Sequence, residues 1–254
     1  MTADNSRQWH YRSVARTDRG LVRPRNEDSV VNRPNVGVWA VADGMGGHNR
    51  GDRASTILQE ELTRLQPEPA ETQVDVEAMR EGISAAHERV RSELGTTGMS
   101  GTTVVALALR GDRYTCLWAG DSRLYRCVDG RVELLTSDHS VVQELVDAGA
   151  ITPEAAVRHP LRNRITRAVG VEPTLELQTR HGEIHAGERY LLCSDGLHGF
   201  VEAATMGRLA AIANLDEAAD ALVDAALEAG GRDNISLVLI ATDHRFDPAA
   251  TLPH

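Results

Sequence analysis

Two short apolar runs in this chain each lead into an aspartate followed by glycine. Residues 36–42 (VGVWAVA) run straight into Asp43-Gly44, and residues 190–193 (YLLC) reach Asp195-Gly196 through Ser194. Such runs, short and free of helical period, read as buried strands. An acid at the end of a buried strand points out of a sheet edge, and two such ends can share a cleft. The glycine beside each acid lets main chain come close to whatever the cleft holds.

Helices and further strands fill the space between these two runs. Ala54, Ile57, Leu58, Leu62 and Leu65 recur at helical spacing until Pro67 stops them. Val76, Met79, Ile83, Ala86, Val90 and Leu94 form a second such series, with Gly95 at the C-cap position. Residues 102–109 and 114–119 pair as a hairpin about Gly111-Asp112, and 124–128 with 132–135 repeat the device about Asp129-Gly130, which predicts an antiparallel meander. Residues 141–146 and the Thr152-Pro153-Glu154 start give short helices. The weak periodicity of residues 140–170 predicts a mobile flap suited to selecting substrates. A strand is expected over 175–179, helices over 203–213 and 217–229, and a last strand over 235–241. Two runs of strands, each accompanied by helices, place the chain in the α+β class, with antiparallel sheets covered by helices.

Composition excludes several function classes. The formal charge of -10 and pI near 5.5 argue against nucleic-acid binding, which needs clustered Lys and Arg. With aromatics at 4%, aliphatic packing is expected to dominate the core. Cys116, Cys127 and Cys193 are odd in number and scattered, which speaks against a disulfide framework or a zinc motif and for a reducing cytoplasm. No apolar run approaches the roughly 18 residues of a membrane helix, and the first residues lack a signal core, so no membrane contact is expected.

Four acidic clusters carry the chemistry: Asn26-Glu27-Asp28, Asp43-Gly44, Asp195-Gly196 and Asp233-Asn234. All offer oxygen donors, and a site of carboxylates and a carbonyl selects Mg²⁺ or Mn²⁺ over zinc. Carboxylates forced together repel unless cations sit between them. Two cations about 3.5–4 Å apart can activate a water and steady an in-line phosphoryl displacement. Arg23 supplies a guanidinium fork for two phosphate oxygens, with Arg25 as its competitor. Asp129-Gly130 reads as a plain surface turn.

In order and spacing these segments resemble the PPM family of metal-dependent serine/threonine phosphatases, the protein phosphatase 2C-like enzymes. The resemblance runs from Thr17-Asp18-Arg19-Gly20 and Arg23 through Asp43-Gly44-Met45-Gly46-Gly47-His48, Gly101-Thr102-Thr103, Gly120-Asp121-Ser122 and Asp138-His139-Ser140. It continues through Asn163 to Gly170 and Ser194-Asp195-Gly196, and ends at Gly231-Arg232-Asp233-Asn234.

It implies a four-layer α-β-β-α sandwich, with two antiparallel sheets flanked by helix pairs, as one catalytic domain over 12–242 with flexible tails at 1–11 and 243–254. It implies that Asp43 bridges two divalent cations, Gly44 ligates through its carbonyl, and Asp195 and Asp233 complete the set. Glu27 and Asp28 would bind directly or through water, Asp121 would hold a third, weaker metal, and Arg23 would grip phosphate. Many eukaryotic members carry histidine where Met45 stands, a methionine shared with bacterial members. The leaving-group acid is then a metal-held water or His48, while His139 reads as structural.

The activity implied is hydrolysis of phosphoserine and phosphothreonine on proteins by a metal-activated water, opposing a serine/threonine kinase. A non-catalytic reader of phosphoproteins or a hydrolase of small phosphoesters remain alternatives.

Overall fold

The computed structural model describes residues 7–46, 50–68, 71, 73–95 and 100–246. Eleven strands and seven helices follow one another among these residues. Strands β1 (Arg7–Asp18), β2 (Asp28–Arg33) and β3 (Val38–Met45) lead into helices α1 (Gly51–Arg64) and α2 (Val76–Leu94). After them come β4 (Gly101–Thr102), β5 (Val104–Arg110), β6 (Arg113–Ala119), β7 (Arg123–Val128) and β8 (Arg131–Leu134). Helices α3 (Val141–Asp147) and α4 (Pro153–Ala156) precede β9 (Gln178–Glu183) and β10 (Arg189–Cys193). Helices α5 (Asp195–His198), α6 (Ala203–Ala210) and α7 (Leu215–Glu228) then lead to β11 (Ile235–Phe246).

The strands sort into two antiparallel sheets. One runs in the order β1-β11-β10-β7-β8; the other runs β2-β3-β5-β6-β9, with β4 paired to β3 at its end. Alternation along the central strands explains the layering. In β3, Val38, Ala40 and Ala42 face α1 and α2, while Trp39 and Val41 belong to the layer between the sheets. In β11, Leu237, Leu239 and Ala241 pack with α6 and α7, while Val238 and Ile240 point inward. A strand buried on both faces reads as a continuous apolar run, which is why its period of two is hidden in the sequence. The result is the α-β-β-α sandwich the resemblance implies.

The few aromatics concentrate between the sheets. Tyr114 of β6 meets Tyr190 of β10 with ring centroids 5.7 Å apart, and Tyr11 of β1 meets Trp39 of β3 edge-on at 5.8 Å. Aliphatic side chains fill the two outer layers and still outnumber the aromatics in the middle one, as the composition leads one to expect. All three cysteines are buried and free.

Several expectations are corrected. The two hairpins do not form one meander: β5 and β6 lie in one sheet, β7 and β8 in the other. The chain crosses between sheets at Gly120-Asp121-Ser122, and Gly120, at φ 111°, takes a backbone conformation that side chains resist. The strand expected at 175–179 forms instead at Gln178–Glu183, while Leu175 and Leu177 pack against the outer core. The pairing of β1 with β11 runs from Arg7↔Phe246 to Asp18↔Ile235 and so reaches beyond residues 12 and 242. Both ends of the 140–170 segment are pinned, by bridges Ser140↔Ile165 and Thr102↔Val169. The Gly170 N–H adds a third tie by donating to His87 Nδ1 at 2.9 Å.

Candidate active site

A cleft of about 440 Å³ opens at one end of the sandwich and is lined by Arg23, Glu27, Asp43, Asp121, Asp195 and Asp233, among others. Its residues come from several loops and strand ends that the two sheets bring together. Asp43 lies inside β3 rather than at its end, opposite Asp28 at the start of β2. Thr103 fixes the Asp43 main chain: its hydroxyl accepts the Asp43 N–H at 2.9 Å, and its own N–H donates to the Asp43 carbonyl at 2.8 Å. The Thr102 hydroxyl donates to the same carbonyl at 3.0 Å. With the backbone thus occupied, the carboxylate is the part of Asp43 left for chemistry.

Gly44 and Gly196 serve close packing. A Cβ on Gly44 would stand 2.2 Å from the Gly51 carbonyl oxygen and 2.4 Å from that of Glu27. A Cβ on Gly196 would stand 1.9 Å from the Asn234 carbonyl oxygen. The glycine after each aspartate therefore lets one acid-bearing segment lie against the next. Asp195 opens helix α5, two residues beyond the end of β10. The intervening Ser194 donates its hydroxyl to Asp28 Oδ2 at 2.9 Å.

Asn234 holds the opposite wall. Its Oδ1 accepts the Glu27 N–H at 2.8 Å, and its Nδ2 donates to the carbonyls of Arg19 at 2.9 Å and Arg25 at 2.8 Å. One side chain thus stitches residues 19–27 to the start of β11. The adjacent Asp233 receives Arg23 Nη2 at 2.7 Å, and the Arg23 side chain remains 53% exposed at the rim. Asn234, Ser194 and Thr103 received no role from the sequence, although Asn234 and Ser194 each adjoin a residue that did. The available signal was position: a hydrogen-bonding residue next to a buried acid.

Burial dominates the electrostatics. Asp43 is held well above the usual carboxylate range, first by burial and then by the charges of Asp28, Asp195, Asp121 and Asp233. Asp28, Asp121 and Asp195 are pushed up for the same first reason, with the charge of Asp195 next on Asp121 and that of Asp233 next on Asp195. Glu27 is raised by burial and then by Asp52. Arg23 is pushed upward, first by its hydrogen bond to Asp233, so it stays a cation. His198 is half-buried beside Asp121 and donates Nε2–H to the Asp121 carbonyl at 2.9 Å. Burial pushes its ring down to about 3, which keeps it neutral.

The structure brings together Arg23, Glu27, Asp43, Gly44, Asp121, Asp195 and Asp233 as lining of one cleft. Asp28 sits behind them, against Asp43 and Ser194. Arg25 and Met45 also line the cleft. His48 lies outside the described residues. His139 is structural as expected: Nδ1 accepts the Gly120 N–H at 3.1 Å and its ring stacks on Trp118.

Among the described residues no three His, Cys, Asp or Glu side chains converge as a formed metal site. Asp233 turns to Arg23 and Asp28 to Ser194. The donor set nonetheless fits hard cations. Oδ1 of Asp28 and Oδ1 of Asp195 are buried without a hydrogen-bond partner, and a buried carboxylate oxygen in that state calls for a cation or a proton.

Residues 24–233 match the family model for protein phosphatase 2C. The chain is 43% identical over 249 residues to the serine/threonine protein phosphatase PstP of Mycobacterium tuberculosis, covering 95% of this chain and 47% of that protein. It is 36% identical over 239 residues to the serine/threonine phosphatase stp of Listeria monocytogenes, covering 90% and 94%. The chain thus spans about half the length of PstP and nearly all of stp. A solved structure of the PstP catalytic domain in complex with two manganese ions superposes with a TM-score of 0.80 at 37% identity, covering 93% of this chain and 100% of that one. Fold, carboxylate cleft and relatives agree on one assignment: this chain belongs to the protein phosphatase 2C family.

Proposed function

We propose that this chain is a metal-dependent protein phosphatase that hydrolyses phosphoserine and phosphothreonine on proteins, with β1 to β11 acting as one catalytic domain. The observation that carries this reading is the convergence of half-buried Asp28, Asp43, Asp121 and Asp195 about a single cleft, with buried, unpartnered carboxylate oxygens on two of them. Carboxyls desolvated and crowded in this way hold protons more tightly than free ones and are poor ligands until positive charge enters among them. The manganese ions in the PstP catalytic domain support the same reading.

Asp43, Asp195 and Asp233, with the Gly44 carbonyl, would hold two divalent cations, Mn²⁺ or Mg²⁺, and Glu27 and Asp28 would join directly or through water. Asp121 would hold a third, weaker one. When bound, such cations supply positive charge to the phosphoryl oxygens and acidify a water for in-line attack. The chain's own residues do the rest. Arg23 has donors left beyond the one spent on Asp233, and it offers them to phosphate oxygens at the rim. Asn234 and Thr103 keep Glu27 and Asp43 in place, so little reorganisation is needed on binding. The backbone of Gly44 approaches without a side chain to block it.

The substrates are phosphorylated proteins, and the partner in signalling is a serine/threonine kinase whose products this chain removes. Three buried free thiols favour a reducing, cytoplasmic setting. No helix among the described residues is long and apolar enough to cross a membrane.

Hydrolysis of phosphothreonine, phosphoserine and phosphotyrosine peptides with Mn²⁺, Mg²⁺ or chelator tests the reading. Turnover is expected only with added metal, and faster on phosphothreonine or phosphoserine than on phosphotyrosine. Undiminished turnover in chelator would sink the metal requirement, and no hydrolysis of any peptide in Mn²⁺ would favour a non-catalytic reader of phosphoproteins.

A further inference from the structure

A second cavity, about 450 Å³, lies between the 140–170 segment and α5. Asp121, Asn163, Asp195 and Asp233 line both this groove and the catalytic cleft, so the two are one continuous depression. The walls differ in character. The groove is bounded by Val142 and Val146 of α3, Pro153 and Ala156 of α4, then Val157 and Phe200. Val157 is 72% exposed and Phe200 37% exposed, unusual for large apolar side chains this close to a charged site.

Part of the charge within the groove is paired, while Arg162 at its edge has no ion-pair partner among the described residues. Asp138 and Arg123 bind each other through two bonds, Nε to Oδ1 at 2.8 Å and Nη2 to Oδ2 at 2.7 Å. His198 is committed to the Asp121 carbonyl. The apolar wall itself has no part in holding cations or phosphate.

We propose that this groove is a specificity subsite that takes an apolar side chain, aliphatic or aromatic, flanking the phosphorylated residue of a protein substrate. The inference rests on the phosphatase reading, since the occupant is a segment of the same peptide whose phosphoryl group lies in the cleft. Continuity selects that occupant. Residues of an extended peptide are about 3.3 Å apart, so a neighbour within a few positions of the phosphoresidue reaches the groove. The volume lies within the roughly 300–1,000 Å³ of side-chain and small-ligand sites. An apolar partner gains by covering Val157 and Phe200, which water now wets. A charged one would lose hydration against the walls of α3 and α4.

The test is a set of phosphothreonine peptides in Mn²⁺, each with a single leucine or glutamine at one of the three positions on either side. Wild type is expected to show kcat/KM about tenfold higher with leucine than with glutamine at one of those positions. Val157→Asp and Phe200→Ser alter exposed side chains that neither the core nor the cation ligands need, so they should fold. Each is expected to bring that ratio close to one while p-nitrophenyl phosphate turnover stays at the wild-type level. Equal rates for leucine and glutamine at every position, with the peptides still hydrolysed, would overturn the subsite and leave the phosphatase reading standing. The subsite is likewise overturned if the preference survives in both variants. Hydrolysis of p-nitrophenyl phosphate but of no phosphothreonine peptide would overturn the protein-substrate reading and the subsite with it.

Discussion

Replacing Asp43 by asparagine is expected to lower kcat/KM for a phosphothreonine peptide by roughly 10³-fold in saturating Mn²⁺. Asp43 is central to the cleft: Asp28, Asp195, Asp121 and Asp233 all raise its proton affinity, and both Thr102 and Thr103 hold its backbone. Asparagine keeps the size and the main-chain bonds but removes the charge that a cation would meet. The same change should not weaken the fold. In chelator the variant is expected to melt at or above the wild-type temperature, because a desolvated acid crowded by like charges is gone from the cluster. Activity and stability therefore move apart, which separates a lost ligand from a misfolded protein. Retained activity, or a sharply lowered melting temperature together with lost activity, would count against this role for Asp43.

The second large effect concerns pH. Burial, followed by neighbouring charges, holds Asp28 at about 7 and Asp121 at about 8, against an ordinary value of 3.8. A carboxyl raised in the folded state binds more protons there than in the unfolded chain. Its folded form is therefore favoured at low pH, and that advantage is lost as pH climbs through the folded value. His198, pushed down to about 3, has the opposite sign and begins to destabilise below its ordinary 6.5. The window in which the acids act alone is thus about pH 6.5 to 8. In chelator the melting temperature is expected to be higher at pH 6.5 than at pH 8, by about 5 °C for a domain of this size. Mn²⁺ is expected to remove or reverse that slope, because cations compete with protons for the same oxygens. A melting temperature in chelator that is flat or rises with pH would show that these acids are not strained in the fold.

What the sequence revealed of this architecture follows from burial. Strands covered on both faces, such as β3, β5, β10 and β11, announce themselves as apolar runs, and α1, α2, α6 and α7 show their period because each has one wet face. The strands that escaped were edges. In β1 (RQWHYRSVARTD) and β2 (DSVVNR) polar residues dominate, and β9 (QTRHGE) has no apolar residue at all. All three lie at the margins of their sheets, where only one neighbour and part of one face constrain the side chains. The sheet crossing at Gly120–Ser122 was hidden for another reason: two hairpins in sequence look alike whether they share a sheet or not.

The site was legible as a set of acids beside glycines, and the cleft gathers Glu27, Asp43, Asp121, Asp195 and Asp233. Their supports were not. Asn234 acts through bonds to Glu27, Arg19 and Arg25, partners over 200 residues away in the chain, and no local pattern encodes such a reach. The purpose of the glycines was also misread in part, since Gly196 accommodates the Asn234 carbonyl rather than a ligand. Asp28 stands behind the cleft because its place in β2 opposite Asp43 could not be seen without that strand.

The most direct test of the account is to count bound Mn²⁺ by electron paramagnetic resonance, comparing the wild-type chain with Asp43→Asn and Asp195→Asn. At least two ions per wild-type chain are expected and fewer in each variant, with the carboxylates of distant segments acting as one site. Wild-type protein that binds no Mn²⁺, or variants that bind as many ions as wild type, would contradict it.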